Sequence, residues 1–520
     1  MLKLTVTKTV VLGGVCLFSY ALGQGKPVTM AGFGPRVIYP VSEGDTWDSA
    51  WSANGSLIFQ NNDGYGFSTA FGGSTRQHDT ISILVGSPES PASLSGSNIN
   101  PGVSGSSFAN GPCYSSGIYE VNGVLYHNVL SSQQTPGAWV FHHNSTLKST
   151  DGGLNWMNHL GQTGTWPPDN VATCFFPSKK WGMVNFVKYG RGGEAPKVDN
   201  AQTYVYFIGI ASEPQFTEGG YLLGRVRRTD LPLLDPSKNE YYIGGDGMED
   251  GSWVSDISQC ATISVPYGKR TNRYGWAFDS VVYNPGLQRY LMTSFSSDSW
   301  TKPVVQSTLR LMESPHPWGP WSPLLDENVN HKLGDNLTWP YLQPKFTSAD
   351  GTKMWMSVCG RDPYGLQFLP IYLTTHPVWT GLAQTAKLEG GVHRANEVAG
   401  YSGTGYVTGF TRVGDEARFK YSAATAGTYL VKFRYNTSQY QTLGFYVNQT
   451  LVTELKLGRS EQVYAKWTEY SVLAPMKAGH NTVSFRYDQA STSAGGCNLD
   501  SIFIALYSIK PLGHGSSECR

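Results

Sequence analysis

Residues Gly44–Phe67 read GDTWDSAWSANGSLIFQNNDGYGF. Trp47–Trp51 and Ser56–Gln60 are strand-like, and Ala53-Asn54-Gly55 joins them. A three-residue hairpin loop with glycine at its left-handed last position fits that tripeptide. Ser52 then opposes Ser56, and an unbroken ladder brings Asp45 opposite Asp63 on one face. Opposed Cβ atoms lie about 4.5–5.5 Å apart, near the roughly 5–5.5 Å carboxyl separation of retaining glycosidases and under the gap that inverting enzymes need. Two carboxylates so close cannot both ionise freely, so one becomes an acid while the other attacks. A two-residue Asn54-Gly55 turn would pair Asp45 with Gly64 instead. By parity, Asp48 faces the other side and is the weaker candidate.

The rest of the chain has the composition of sheet walls and long loops. Of 520 residues, 60 are glycine and 13 % aromatic, while only 15 % are charged, which excludes a disordered polymer, a coiled coil and a helix bundle. The net charge of +1 provides no bulk field for nucleic acid or an anionic membrane. No long 3.6-residue apolar period occurs, so an all-β chain is expected. Gly117–Tyr126, Thr203–Ile210, Asp279–Thr293 and Met354–Cys359 are strand-rich, and Asn122-Gly123 is a strong hairpin signal. Ser149–Trp156 (STDGGLNW) matches the S-x-D-x-G-x-x-W Asp-box, in which the aspartate folds a hairpin turn and the tryptophan packs between sheets.

Residues 1–23 read as a signal peptide: Lys3 and Lys8 precede the apolar run Val10–Leu22, and Ala21 and Gly23 suit a cut before Gln24. The run is too short to span a membrane. A secreted, extracellular protein is expected. Six cysteines remain, which favours disulfides in an exported chain, with Cys497–Cys519 the preferred pair. Asn54, Asn144, Asn336, Asn436 and Asn448 head glycosylation sequons.

The character changes at residues 377–385, taken as a linker between 25–376 and a compact segment, 386–508, with 509–520 as a tail. Leu388-Glu389-Gly390, Gly400–Val407 (GYSGTGYV), Gly427–Val431 (GTYLV), Ala478–Asn481 (AGHN) and Asn498–Ile502 (NLDSI) resemble the carbohydrate-binding modules of families 6 and 35. The resemblance implies a β-sandwich (jelly roll) with Glu389 and Asp500 together at a structural calcium site, for which two carboxylates are suitable hard ligands. Sugar stacking would fall to Tyr401, Tyr406 and Trp467, with Asn498 as a polar handle; core packing is the equal alternative for each ring.

Gly44–Trp47 (GDTW) with Asn62–Gly66 (NDGYG) resembles the start of a secreted family, once labelled a domain of unknown function, some of whose members are five-bladed β-propeller endo-D-arabinanases. Ser116–Tyr119, Gly224–Val226, Val282–Asn284, Arg289–Leu291 and Pro317–Trp321 agree with it. The resemblance implies a β-propeller over 25–376, retaining furanoside cleavage, and Asp45 and Asp63 as the catalytic carboxylates, without saying which attacks. Trp47 and Tyr65 are expected to stack on sugar rings. Arg76, His78 and Asp79 read as a surface ion pair, with contact from His78 to a sugar hydroxyl as the alternative. The expected activity is a monomeric glycoside hydrolase on an arabinan-like polysaccharide, needing no catalytic cofactor. A polysaccharide lyase, a sialidase-like propeller (although the arginines are scattered) and a non-catalytic glycan binder are the alternatives.

Overall fold

The Ala53-Asn54-Gly55 loop closes as its composition dictates. Gly55 takes φ +92°, its N–H donates to Ser52 O, and Ser52 N–H donates to Ser56 O. The computed structural model describes residues 25–67, 79–100, 113–135, 138–163, 174–178, 180–211, 220–248, 250–266, 280–297, 307–329, 332, 337–458, 467–488 and 496–509. The signal-like segment, His78, Cys519 and the tail from 510 lie outside them.

The chain is all-β. Among the described residues up to Thr374 it forms five antiparallel meanders whose first strands are Glu43–Trp51, Cys113–Val121, Trp181–Lys188, Val281–Asn284 and Thr338–Thr347. Each first strand touches the first strand of the next sheet, and the fifth touches the first. Val187 and Lys188 also pair in parallel with Val281 and Val282. The N-terminal strand Met30–Phe33 completes the fifth sheet by pairing with Tyr364–Thr374, which ties the two ends of this part of the chain together.

Local chemistry sets these elements. Asn122 and Gly123 both take positive φ, as the tight turn between Val121 and Val124 requires. In the Asp-box, Asp151 Oδ1 accepts from Ser149 Oγ (2.7 Å) and Asn155 N (2.9 Å). Its Trp156 packs among Ala50, Ile58, Ile81, Ile118 and Leu147, between the first and second sheets.

The C-terminal part is a sandwich of two sheets. One holds Lys387–Glu389, Glu416–Ala423, Gly479–Arg486, Gln441–Val447 and Thr450–Leu457; the other is built on Gly427–Thr437, Thr468–Met476 and Cys497–Ser508. Residues 377–385, expected as a linker, are part of this body. Trp379–Leu382 pairs with Ser501–Ile504, the Trp379 ring lies 5.4 Å from Tyr421, and Ala383 is fully buried. The apolar side chains of that segment are better placed in the sandwich core than in water. Cys497 is a buried free thiol, and its expected partner Cys519 lies outside the described residues. Asn144 and Asn436 are buried, which makes a glycan at either incompatible with this packing, whereas Asn54 and Asn448 are exposed.

The two bodies share a buried joint. Lys332 Nζ lies 2.5 Å from Glu327 Oε1 and donates to Phe33 O (2.8 Å) and Ser471 O (2.7 Å). Ser471 Oγ donates to Glu327 Oε2 (2.6 Å) and accepts from Phe33 N (2.9 Å). Met30, Leu430 and Ala505 form an apolar patch at the same joint. Lys332→Met leaves the Glu327 charge buried without its cation and should cost about 3–5 kcal/mol of unfolding free energy. Denaturant titration measures this, and adding Glu327→Gln should recover much of the loss.

Candidate active site

The hairpin that carries the two aspartates keeps its expected register only part of the way. Trp51 pairs with Leu57, Ala50 with Ile58, Ser49 with Phe59 and Asp48 with Gln60. The ladder then slips. Asp45 pairs with Asn62, and Glu43 with Gly66, so one extra residue lies in the first strand and two lie in the second. Asp63 is therefore not the cross-strand partner of Asp45, a correction to the sequence expectation; it sits in the bulge with φ +51°. Bulges of this kind re-aim side chains near functional sites. Thr46 (φ +52°), Gly44 (φ +129°) and Gly66 (φ +67°) complete the distortion.

Two glycines make the bulge sterically possible. A Cβ on Gly64 would come within 2.1 Å of Glu43 O, and one on Gly44 within 2.7 Å of Asn62 O. The backbones thus approach more closely than any side chain allows. Gly44 O is held from below by Trp47 Nε1 at 2.8 Å.

Asp45 is almost completely buried, and Asp63 is half-buried. Burial first, and then the charge of Asp63, raise the Asp45 carboxyl well above its ordinary value of 3.8. The Tyr364 hydroxyl, the Arg361 charge and Thr46 pull it back. Tyr364 Oη donates to Asp45 Oδ2 at 2.7 Å. Its own ionisation is pushed far up by burial and then by Asp45, so it stays a proton donor. The two aspartates thus interact electrostatically despite the register slip, and the more buried one favours its protonated form.

Tyr364 and Arg361 were not found by sequence reasoning. Both lie in the Arg361-Asp362-Pro363-Tyr364 turn of the fifth sheet, and only the contact of that sheet with the first brings them to Asp45. No spacing along the chain signals it.

Other expected residues take different roles. Trp47 is fully buried against Phe59 and Phe67, so it supports the bulge and cannot stack on a sugar. Tyr65 is half-buried beside the bulge, and its carbonyl accepts from Asn98 Nδ2 (2.8 Å). Asp48 is buried in an ion pair with Lys188 and accepts from Ile118 N (3.2 Å), which joins three sheets. Asp79 is not at the surface: it is fully buried, bonded to Ser115 Oγ and 2.9 Å from His127 Nε2.

In the sandwich, Tyr401, Tyr406 and Trp467 do come together, with centroids 6.0 Å and 5.4 Å apart in sequence order. Tyr406 and Trp467 are buried and hydrogen-bonded to Glu397 and Ala399, so they pack the loop; Tyr401 and Asn498 are half-buried at its edge. Glu389 and Asp500 lie on different sheets. Glu389 pairs with Lys387 (3.0 Å) and Arg418 (3.3 Å). Asp500 accepts from Ser402 N (2.6 Å) and Arg434 Nη1 (2.7 Å). The expected calcium pair does not fit, because a guanidinium already neutralises Asp500 and the second carboxylate is elsewhere.

No known protein-family profile matches the sequence. Over 118 residues, a length close to that of the sandwich, the chain is 37 % identical to an isomaltosyltransferase of Sporosarcina globispora, covering 22 % of this chain and 10 % of that protein. A cycloisomaltooligosaccharide glucanotransferase of Niallia circulans is 35 % identical over 114 residues, 21 % of this chain and 11 % of that protein. The chain spans about a tenth of the length of the curated relatives it matches. Among solved structures, a family 35 carbohydrate-binding module from Clostridium thermocellum is 24 % identical with a TM-score of 0.23, over 25 % of this chain and 97 % of that one.

Because the folded state holds a proton on Asp45 more tightly than the unfolded chain does, Asp45 contributes stability in acid that is lost as pH rises through its elevated value. Asp45→Asn should therefore raise the melting temperature at pH 7–8 and leave it nearly unchanged near pH 4. Calorimetric melts at both pH values test this; equal shifts would deny Asp45 a raised pKa.

Proposed function

We propose that the chain is a secreted glycoside hydrolase whose residues 25–376 form a five-bladed β-propeller, with Asp45 as acid/base and Asp63 as nucleophile. The cyclic contact of the five first strands and the closure of the fifth sheet by Met30–Phe33 support the propeller reading. The observation that carries the chemistry is Asp45, buried, bonded by Tyr364 and raised by Asp63. A buried carboxyl that holds its proton more tightly than usual, beside a second, more exposed carboxyl, is the pattern of an acid and a nucleophile.

In the proposed reaction Asp63 attacks the anomeric carbon while Asp45 protonates the departing glycosidic oxygen. Asp45 then takes a proton from the water that releases the sugar from Asp63. Tyr364 orients Asp45, and the Arg361 charge limits how far burial raises its pKa. The expected substrate is an arabinan-like, furanose-containing polysaccharide, and the sandwich is proposed to bind glycan through the Tyr401–Asn498 edge. The sugar-transferring names of the curated relatives accord with a carbohydrate partner for the matched segment.

Purified protein incubated with arabinans, arabinogalactans and acidic polysaccharides should release saccharides of retained anomeric configuration, read by NMR and mass spectrometry. Asp45→Asn and Asp63→Asn should each lower kcat by about 10²-fold or more. Full turnover in both variants removes the assignment, and an unsaturated product would mean a lyase.

A further inference from the structure

Asp63 occupies a left-handed backbone position one residue past the Asp45–Asn62 pair, where the ladder slips and resumes only at Glu43 and Gly66. The residue before it is anchored from another sheet. Asn62 Nδ2 donates to Ser115 O (3.0 Å), and Ser115 N donates to Asn62 Oδ1 (2.9 Å). The side-chain amide thus imitates a rung of β-ladder between the first and second sheets. The chain of contacts continues inward. Ser115 Oγ donates to Asp79 Oδ1, and Asp79 Oδ2 lies 2.9 Å from His127 Nε2. The His127 ring lies against Trp156 of the Asp-box, with centroids 5.2 Å apart. Asn62, Asp79, Ser115 and His127 are all essentially inaccessible to solvent.

We infer that the buried series Asn62–Ser115–Asp79–His127 is the positioning network of Asp63, fixing the bulge so that its carboxylate faces the reacting carbon. The inference deepens the hydrolase reading and rests on it. None of the four is assigned a contact with substrate; Ser115, Asp79 and His127 act through Asn62. Hydrogen bonds in a buried polar series order the groups they join, so loss of one link loosens its neighbours. Removing the Asn62 amide takes from the Ser115 N–H and C=O the partner they have here and removes the side-chain anchor next to Asp63. Removing the Ser115 hydroxyl leaves the Asn62 rung intact but uncouples it from Asp79.

The test compares Asn62→Ala, Ser115→Ala, Ser115→Thr and Asp63→Asn in the full chain, on the best polysaccharide found for the wild type. Asn62→Ala should lower kcat about tenfold to a hundredfold, as an ångström-scale misplacement does, with KM within twofold of wild type. Ser115→Ala should show a smaller fall of the same kind, and Ser115→Thr, which keeps the hydroxyl, should restore most of it. The Ser115 pair decides the matter if Asn62→Ala does not fold. Wild-type kcat in folded Asn62→Ala or Ser115→Ala, with Asp63→Asn inactive, overturns the network and leaves the hydrolase reading standing. Full turnover by Asp63→Asn overturns that reading and the inference with it.

Discussion

Everything proposed for the larger body depends on one buried carboxyl that cannot easily be charged. Asp45 sits where water is excluded and where a second carboxyl, Asp63, acts on it with a charge of the same sign when deprotonated. Either condition alone raises a carboxyl, and together they favour the protonated form of Asp45 in the fold. The protein accepts this cost at a place where the backbone is also distorted, with Gly44 and Thr46 on one strand and Asp63 and Gly66 on its neighbour all at positive φ. Strain and an unfavourable charge on two facing strands are together a stronger ground for proposing a functional site than either would be separately.

How much of this was legible in the sequence depends on the range of the interaction. The hairpin loop was legible because Asn-Gly chemistry is local, and the register followed from it as far as Asp48 and Gln60. Beyond that point the ladder slips, and the cause lies partly in backbone contacts between Gly44 and Gly64. Glycine in a strand does signal a bulge or a close approach, yet the direction in which a bulge turns Asp63 is not written in its neighbours. Tyr364 was invisible for a stronger reason. It reaches Asp45 from 319 positions away in the chain, and only the contact between two sheets brings it there. Trp47 failed in the opposite direction. An aromatic beside a candidate carboxylate looks like a sugar platform, but its ring was needed in the core, and its indole N–H holds the carbonyl of the bulge.

In the C-terminal sandwich the same contrast separates what sequence phrases fix from what they leave open. The turns and strands fall where the Gly-rich phrases imply, and Tyr401, Tyr406 and Trp467 do meet. The expected calcium pair fails on electrostatics. A buried aspartate needs a cation, but the sequence does not say which one, and here it is Arg434 on the neighbouring strand. A planar guanidinium satisfies a carboxylate through directed hydrogen bonds and asks for no cage of further oxygens. The position is therefore neutralised without a second acid, which leaves Glu389 with Lys387 and Arg418 on the other sheet.

The joint between the bodies changes how a sugar-binding sandwich would assist a polysaccharide hydrolase. On a flexible tether, a binding module raises the local concentration of enzyme over a volume set by linker length. Here the expected tether is a strand of the sandwich, and Lys332, Glu327, Ser471 and Phe33 lock the two bodies with charges that neither can expose without large cost. The sandwich edge and the Asp45–Asp63 site are then held at one separation and orientation. A single polymer strand can engage both only where its own geometry spans that separation, so the joint would select among chain conformations as well as increase residence on the polymer. Such selectivity would come from rigidity, with no new contact to the sugar required for it.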